Sequence, residues 1–134
     1  MKYFRILLIA IMALVSIAAY GRRTPGEKVG VSIPELAYDF GTVKESAPQI
    51  VHEFEISNNG KTAIAIVWVK PKCGCTASDY PRKPLLPGES AKIKVTFNPA
   101  GQRGEADKDI RVKFRNGAGK SEEVSLRLRG VVIP

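Results

Sequence analysis

The sequence is poor in the residues from which most active sites are assembled. It contains one histidine, His52, two cysteines, Cys73 and Cys75, and two methionines, both within the first 12 residues. A single imidazole leaves general acid–base and nucleophilic schemes short of a proton carrier, and no serine or cysteine has a recognisable histidine and aspartate arrangement. A closed zinc site takes four protein ligands and a catalytic one at least three. Beyond residue 20 the chain offers two thiols and one imidazole, so a metal would need carboxylates or a second chain. No paired carboxylates flank an obvious cleft, and Gly101-Gln102-Arg103-Gly104 reads as a turn, not a phosphate loop. With Trp68 as the single tryptophan, a glycan-binding platform is disfavoured too. The expectation is a non-enzyme with no catalytic residues, no metal and no cofactor.

Long apolar runs are equally scarce. The one that stands out, residues 6–19, is apolar apart from Ser16, follows the charged start Met1-Lys2-Tyr3-Phe4-Arg5, and ends in Ala18-Ala19 shortly before Gly21. A charged start, a short apolar stretch and small residues at its exit are the marks of a signal peptide over residues 1–20. The run is well short of the roughly 20 residues that span a bilayer, and no cysteine follows it to take a lipid. A bacterial periplasmic or secreted protein is therefore expected, with no stable membrane span once the segment is cleaved. Cleavage would remove Lys2 and Arg5 and lower the net charge from +8 to +6. Such a positive field favours an anionic surface or an acidic envelope protein as partner, and export argues against nucleic acid.

Helical periodicity is missing from the rest, and strand patterns are abundant. Residues 21–34 carry polar, Gly and Pro residues without an apolar period and read as a flexible lead-in. Residues 35–134 read as one domain of short strands separated by Gly, Pro and Asn clusters. The segment 36–40 is closed by Gly41. The segment 50–57 turns Ile50, His52, Phe54 and Ile56 inward and ends at Asn58-Asn59-Gly60, a tight hairpin signal. The segment 63–69 is apolar on both faces, so either Ala65, Val67 and Val69 or Ile64, Ile66 and Trp68 face outward, with Trp68 expected in the core. A long loop, 71–88, holds both cysteines. Three further segments alternate cleanly, with Ile93, Val95 and Phe97, then Ile110, Val112 and Phe114, then Val124, Leu126 and Leu128 pointing inward. About six to seven strands with one-sided alternation make an antiparallel immunoglobulin-like β-sandwich the economical fold.

Two features are candidates for function. Cys73-Gly74-Cys75 places two thiols one residue apart, with Gly74 easing a tight loop. An oxidising compartment favours a disulfide that stiffens the loop, the other structural reading being a pair held reduced by burial. A redox couple or a thiolate metal site is the alternative, weakened by the absence of Cys-x-x-Cys spacing. The second feature is a basic ladder: Arg111, Lys113, Arg115, Arg127 and Arg129 share the outward parity of the last two strands. Lys92 and Lys94 have Glu53 and Glu55 as expected neighbours, whereas the arginine-bearing sheet is expected to be unbalanced and to form an interaction face. His52 belongs to an inward-facing series and is expected to be structural.

Four runs together carry a family resemblance: Phe40-Gly41-Thr42-Val43, the stretch from His52 to Gly60, Cys73-Gly74-Cys75-Thr76, and Leu86-Pro87-Gly88-Glu89. The chain resembles the bacterial domain of unknown function family 1573, which is similar to the Hydin-like and sperm-protein-like branch of immunoglobulin folds, over about residues 35–131. The resemblance implies a sandwich fold in bacterial envelope proteins and brings no catalytic residues with it.

Overall fold

The computed structural model describes residue 21 and residues 23–134; the expected signal peptide lies outside the described residues. Eight strands follow one another: β1 (Val31–Ser32), β2 (Ala37–Lys44), β3 (Ile50–Asn58), β4 (Ile64–Pro71), β5 (Thr76–Asp79), β6 (Ser90–Phe97), β7 (Gly104–Asn116) and β8 (Ser121–Ile133). They form two four-stranded sheets, ordered β1-β3-β6-β5 and β2-β8-β7-β4. The alternating segments dictate this stacking. Phe54, Ile93, Val95 and Phe97 from one sheet meet Ile110, Val112, Phe114, Leu126 and Leu128 from the other, all with no measurable exposure. Each such side chain contributes about 1.5–3 kcal/mol on leaving water, enough to hold two sheets face to face.

The outward face of β3 and β6 is charge-balanced by register. Glu53 lies opposite Lys94 and Glu55 opposite Lys92, while Lys92 Nζ reaches Glu53 diagonally at 3.3 Å. Exposed pairs of this kind contribute at most about 1 kcal/mol each.

Several local features differ from the sequence expectations, each for a physical reason. Residues 21–34 are not a loose lead-in throughout. Val29 and Val31 are buried in the core, and the Glu122 carboxylate accepts hydrogen bonds from the backbone N–H groups of Gly26 and Lys28, both at 3.0 Å. The sandwich thus begins before residue 35. Asn58-Asn59-Gly60 is not a hairpin turn, because β3 and β4 lie in different sheets. Asn58 is wholly buried at the crossing. The loop 71–88 contains β5, which pairs with β6, and Leu85, which bridges to Ile64.

All pairings are antiparallel except that of β2 with β8. β2 continues past Gly41 through a register shift between Asp39 and Thr42. Gly41 has φ +73°, a left-handed conformation that glycine adopts without steric cost. The Phe40 ring beside it lies over Gly130 of β8 and packs against Phe97 of the opposite sheet, with centroids 5.4 Å apart. An aromatic ring covering a strand glycine restores the packing that the missing side chain forgoes.

Candidate interaction face

β7 and β8 are paired along their whole length, so side chains of one parity project outward in rows. Arg111, Lys113 and Arg115 form one row and Arg127 and Arg129 the adjoining one, as the alternation requires. The unbalanced charge expected for this sheet is not what the structure shows, because acidic residues of the same parity intervene. Arg111 pairs with Glu123, while Arg127 and Arg129 share Asp107 at 2.8 and 3.6 Å. Asp107 and Asp109 stand immediately upstream of Arg111 on the same strand, so the sequence itself carried this signal. Lys113 and Arg115 have no carboxylate within 4 Å among the described residues. The surplus positive charge is therefore concentrated toward β4.

β4 supplies an aromatic to the same place. Its register against β7 shifts between Ile66 and Trp68, which leaves Val67 as an extra residue, and a bulge of this kind re-aims the side chains after it. Ile64 and Ile66 face the core before the bulge and Val69 after it, opposite Asn116, Phe114 and Val112 of β7 respectively. Trp68 comes to lie opposite Lys113 on the outward face, contrary to the expectation that it is core. The Lys70 ammonium sits 4.7 Å from its ring centroid, a cation–π contact worth about 0.5–1 kcal/mol at an exposed position. Neither of the two simple alternations open to this apolar segment occurs, since the bulge combines them. Val67 itself is 46% exposed.

The cysteines occupy the corner where the chain passes from β4 to β5 and so from one sheet to the other. Their Sγ atoms are 2.07 Å apart, a disulfide. The Cys75 N–H points to Cys73 Sγ at 3.2 Å, and the Cys75 carbonyl accepts from Asn98 N–H at 2.9 Å. Gly74 is not demanded by space: its φ is not positive and a Cβ there would meet nothing within 4 Å. A bridge across so short a loop removes little unfolded-chain entropy. Replacing both cysteines by serine is therefore expected to cost about 1–2 kcal/mol, measured by urea unfolding. Alkylation of the folded protein with and without reductant checks the thiol alternative, since a pair that exchanges readily with small thiols would favour redox chemistry.

Beside this corner Lys72 Nζ approaches Asp109 Oδ2 at 2.7 Å. The Asp109 side chain is only 14% exposed, and its Oδ1 is buried without a hydrogen-bond partner among the described residues. The Lys72 hydrogen bond holds the Asp109 carboxyl below the ordinary carboxylate range, against the opposing effect of burial, with the Ser125 hydroxyl on the adjoining strand and then the charges of Lys72 and Arg127 adding to it. A carboxyl whose folded-state pKa is depressed stabilises the fold above its unfolded pKa near 4, and that contribution disappears as pH falls through the folded value. Lys72→Met should therefore destabilise the domain at neutral pH. The gap to the parent protein should close on acidification below about pH 4, as pH-resolved urea unfolding would show. A gap independent of pH would assign the effect to packing instead.

His52 joins the two sheets at the opposite edge. Its ring stacks on Tyr38 of β2 at 3.8 Å, with 6° between planes, and meets Phe54 edge-on. Its Nε2 lies 3.3 Å from Glu35 Oε2. This packing gives it a structural place away from Cys73 and Cys75, and the described residues contain no cluster of three or more His, Cys, Asp or Glu able to hold a metal.

The motif runs serve the fold. Leu86-Pro87-Gly88-Glu89 is a turn closed by Glu89 Oε2, which accepts from Leu86 N–H at 2.9 Å, and it is tied to β3 by Gly88 N–H donating to Asn58 O at 2.8 Å. Two stacked sheets with Asn58 at one crossing, a disulfide at another and Phe40 over Gly130 define an immunoglobulin-like sandwich. The chain belongs to the family described as "Protein of unknown function (DUF1573)", whose model matches residues 31–132. No curated protein sequence matches it significantly. Among solved structures, the chain is similar to the ASH/PapD-like domain of human CEP192, with 16% identity and TM-score 0.63 over 84% of this chain and 92% of that one. It is also similar to a protein of unknown function from Porphyromonas gingivalis W83, with 14% identity and TM-score 0.65 over 84% of this chain and 51% of that one. The VesB protease of Vibrio cholerae matches with 15% identity and TM-score 0.64 over 76% of this chain. The chain spans about a third of the protease's length, and about half of the P. gingivalis protein's. At these identities the likenesses establish the fold.

Proposed function

We propose that this domain is a non-catalytic protein-binding module of the bacterial envelope that docks through the outward face of β4 and β7. One observation carries the reading. Trp68 stands on a strand face beside Lys70, Lys113 and Arg115, where the neighbouring rows of arginine are already neutralised by Glu123 and Asp107. Aromatic and cationic side chains together are the residues enriched in protein interfaces, and a surplus of charge steers an acidic partner to them. The envelope location rests on the signal-peptide pattern of residues 1–20, and the disulfide is in keeping with it.

Charge reversal at Lys113→Glu with Arg115→Glu tests the reading. The double variant should keep its thermal midpoint within a few degrees, since neither side chain has a carboxylate within 4 Å among the described residues and Glu123, opposite Lys113, is held by Arg111, and should lose the cross-linked partner recovered from envelope extract. Undiminished recovery would reject the face. Lys92→Glu with Lys94→Glu on the opposite sheet is the matched control and should leave recovery unchanged.

A further inference from the structure

The sandwich has four sheet edges, and they are not equivalent. β1 is two residues long and β5 four, whereas β2 and β4 have eight residues each and both carry a register shift, β2 being the more polar with Asp39 and Lys44 in it. β4 is the long apolar edge. Its backbone parity follows from the bonds at its ends. Ala63 O accepts from Gly117 N–H at 2.9 Å and Lys72 N–H donates to Asp109 O at 3.0 Å, so these residues turn toward β7. Ile64 turns the other way and exchanges both bonds with Leu85, at 2.9 and 2.8 Å. In an antiparallel ladder this alternation continues along the strand. With the extra residue at Val67, Ile66 and Val69 present their N–H and C=O groups to the side away from β7, which β5 approaches from the other sheet, and neither has a backbone hydrogen-bond partner there among the described residues. Leu85 shows that this edge accepts an added strand residue, and Pro71, which has no N–H, ends the window.

The surroundings select what fits. Lys70 closes the open stretch at its Pro71 end, with Lys72 just beyond it already paired to Asp109, and a lysine at an edge opposes pairing with a second copy of the same strand. The Lys70 charge, with the surplus of Lys113 and Arg115 on the same face, attracts an acidic segment. Outward side chains of an added strand would meet Trp68 and Lys70, with Lys113 one strand further in, whereas inward ones would meet the apolar rim of Ile66 and Val69. We propose that the β4 edge binds a short extended segment of a partner protein, alternating acidic and apolar residues, as an added strand between Leu85 and Pro71. The proposal rests on the reading of this face as a protein-binding one and specifies how it binds. Main-chain hydrogen bonds would supply affinity, and alternate side chains specificity.

Trp68 is the only tryptophan of the chain, so its emission reports directly on the edge. The probe is a capped peptide of alternating Glu and Val, titrated into the full domain. Saturable change in Trp68 emission is expected, at least tenfold tighter than for the matching Lys–Val peptide. N-methylation of the alternate peptide nitrogens that would face β4, which removes the donors and leaves the charge, should weaken binding at least tenfold. So should Lys113→Glu with Arg115→Glu, whose fold is verified by its thermal midpoint. Equal binding of the N-methylated peptide would overturn strand addition while leaving the face reading intact. Loss of partner recovery in the double variant without any binding of the Glu–Val peptide would do the same. An equal Trp68 response to phosphatidylglycerol vesicles would overturn a protein occupant altogether.

Discussion

Replacing Asn58 by alanine is expected to lower the unfolding free energy by about 3–5 kcal/mol, and with it the thermal midpoint by roughly 15–30 °C. The side chain has no solvent exposure. Its Nδ2 donates to Thr62 O and Leu85 O, both at 2.9 Å, and its Oδ1 accepts from Gly60 N–H at 2.9 Å. Truncation would strip one buried and two part-buried backbone groups of a partner, each at a cost of up to about 1–3 kcal/mol. Leu85 O keeps its bond from Ile64 N–H, which places the sum below the maximum. Because that carboxamide holds both the β3–β4 crossing and Leu85, the variant should also loosen the Leu85 end of β4, visible as faster amide exchange at Ile64. A loss under 1 kcal/mol in urea unfolding would mean that the crossing is held by something other than Asn58.

Gly130→Ala should cost about 2–4 kcal/mol by overpacking. A Cβ at this position would press into the Phe40 ring and against the Gly41 carbonyl, both closer than real Cβ contacts allow. The ring can turn away, at the expense of its packing on Phe97, but the carbonyl belongs to a backbone already committed to the left-handed turn. Adding Phe40→Ala should therefore recover part of the loss, so that the double variant is less destabilised than the sum of the two single ones. Strict additivity would show that Gly130 and Phe40 do not share the strain.

These two sites show how far the sequence could be read. Clean alternation in β3, β6, β7 and β8 specified which face of each strand is buried, because one face is apolar and the other charged. β4 offered no such contrast. With both faces apolar, the bulge at Val67 was invisible, and the outward position of Trp68 with it. Val29 and Val31 lie among Gly, Pro and charged residues, and the turn before them is tied to Glu122, more than 90 residues away in the chain. The parallel pairing of β2 with β8 is likewise a matter of tertiary neighbours. The neutralised arginines are a different case. Asp107 and Asp109 share the parity of Arg111, and following the alternation upstream by two steps would have exposed the pairing.

The relation of β4 to the rest of the surface is the central claim, and two valines provide a matched test of it. Val67 on the β4 edge is 46% exposed and Val51 on the outward face of β3 is 50% exposed. A photo-crosslinking amino acid placed at either position in cells that make this protein should be equally accessible to water. A partner adduct should form from position 67 and be absent from position 51. An adduct from position 51 alone, or equal yields from both, would contradict the assignment of the β4 and β7 face as the docking surface.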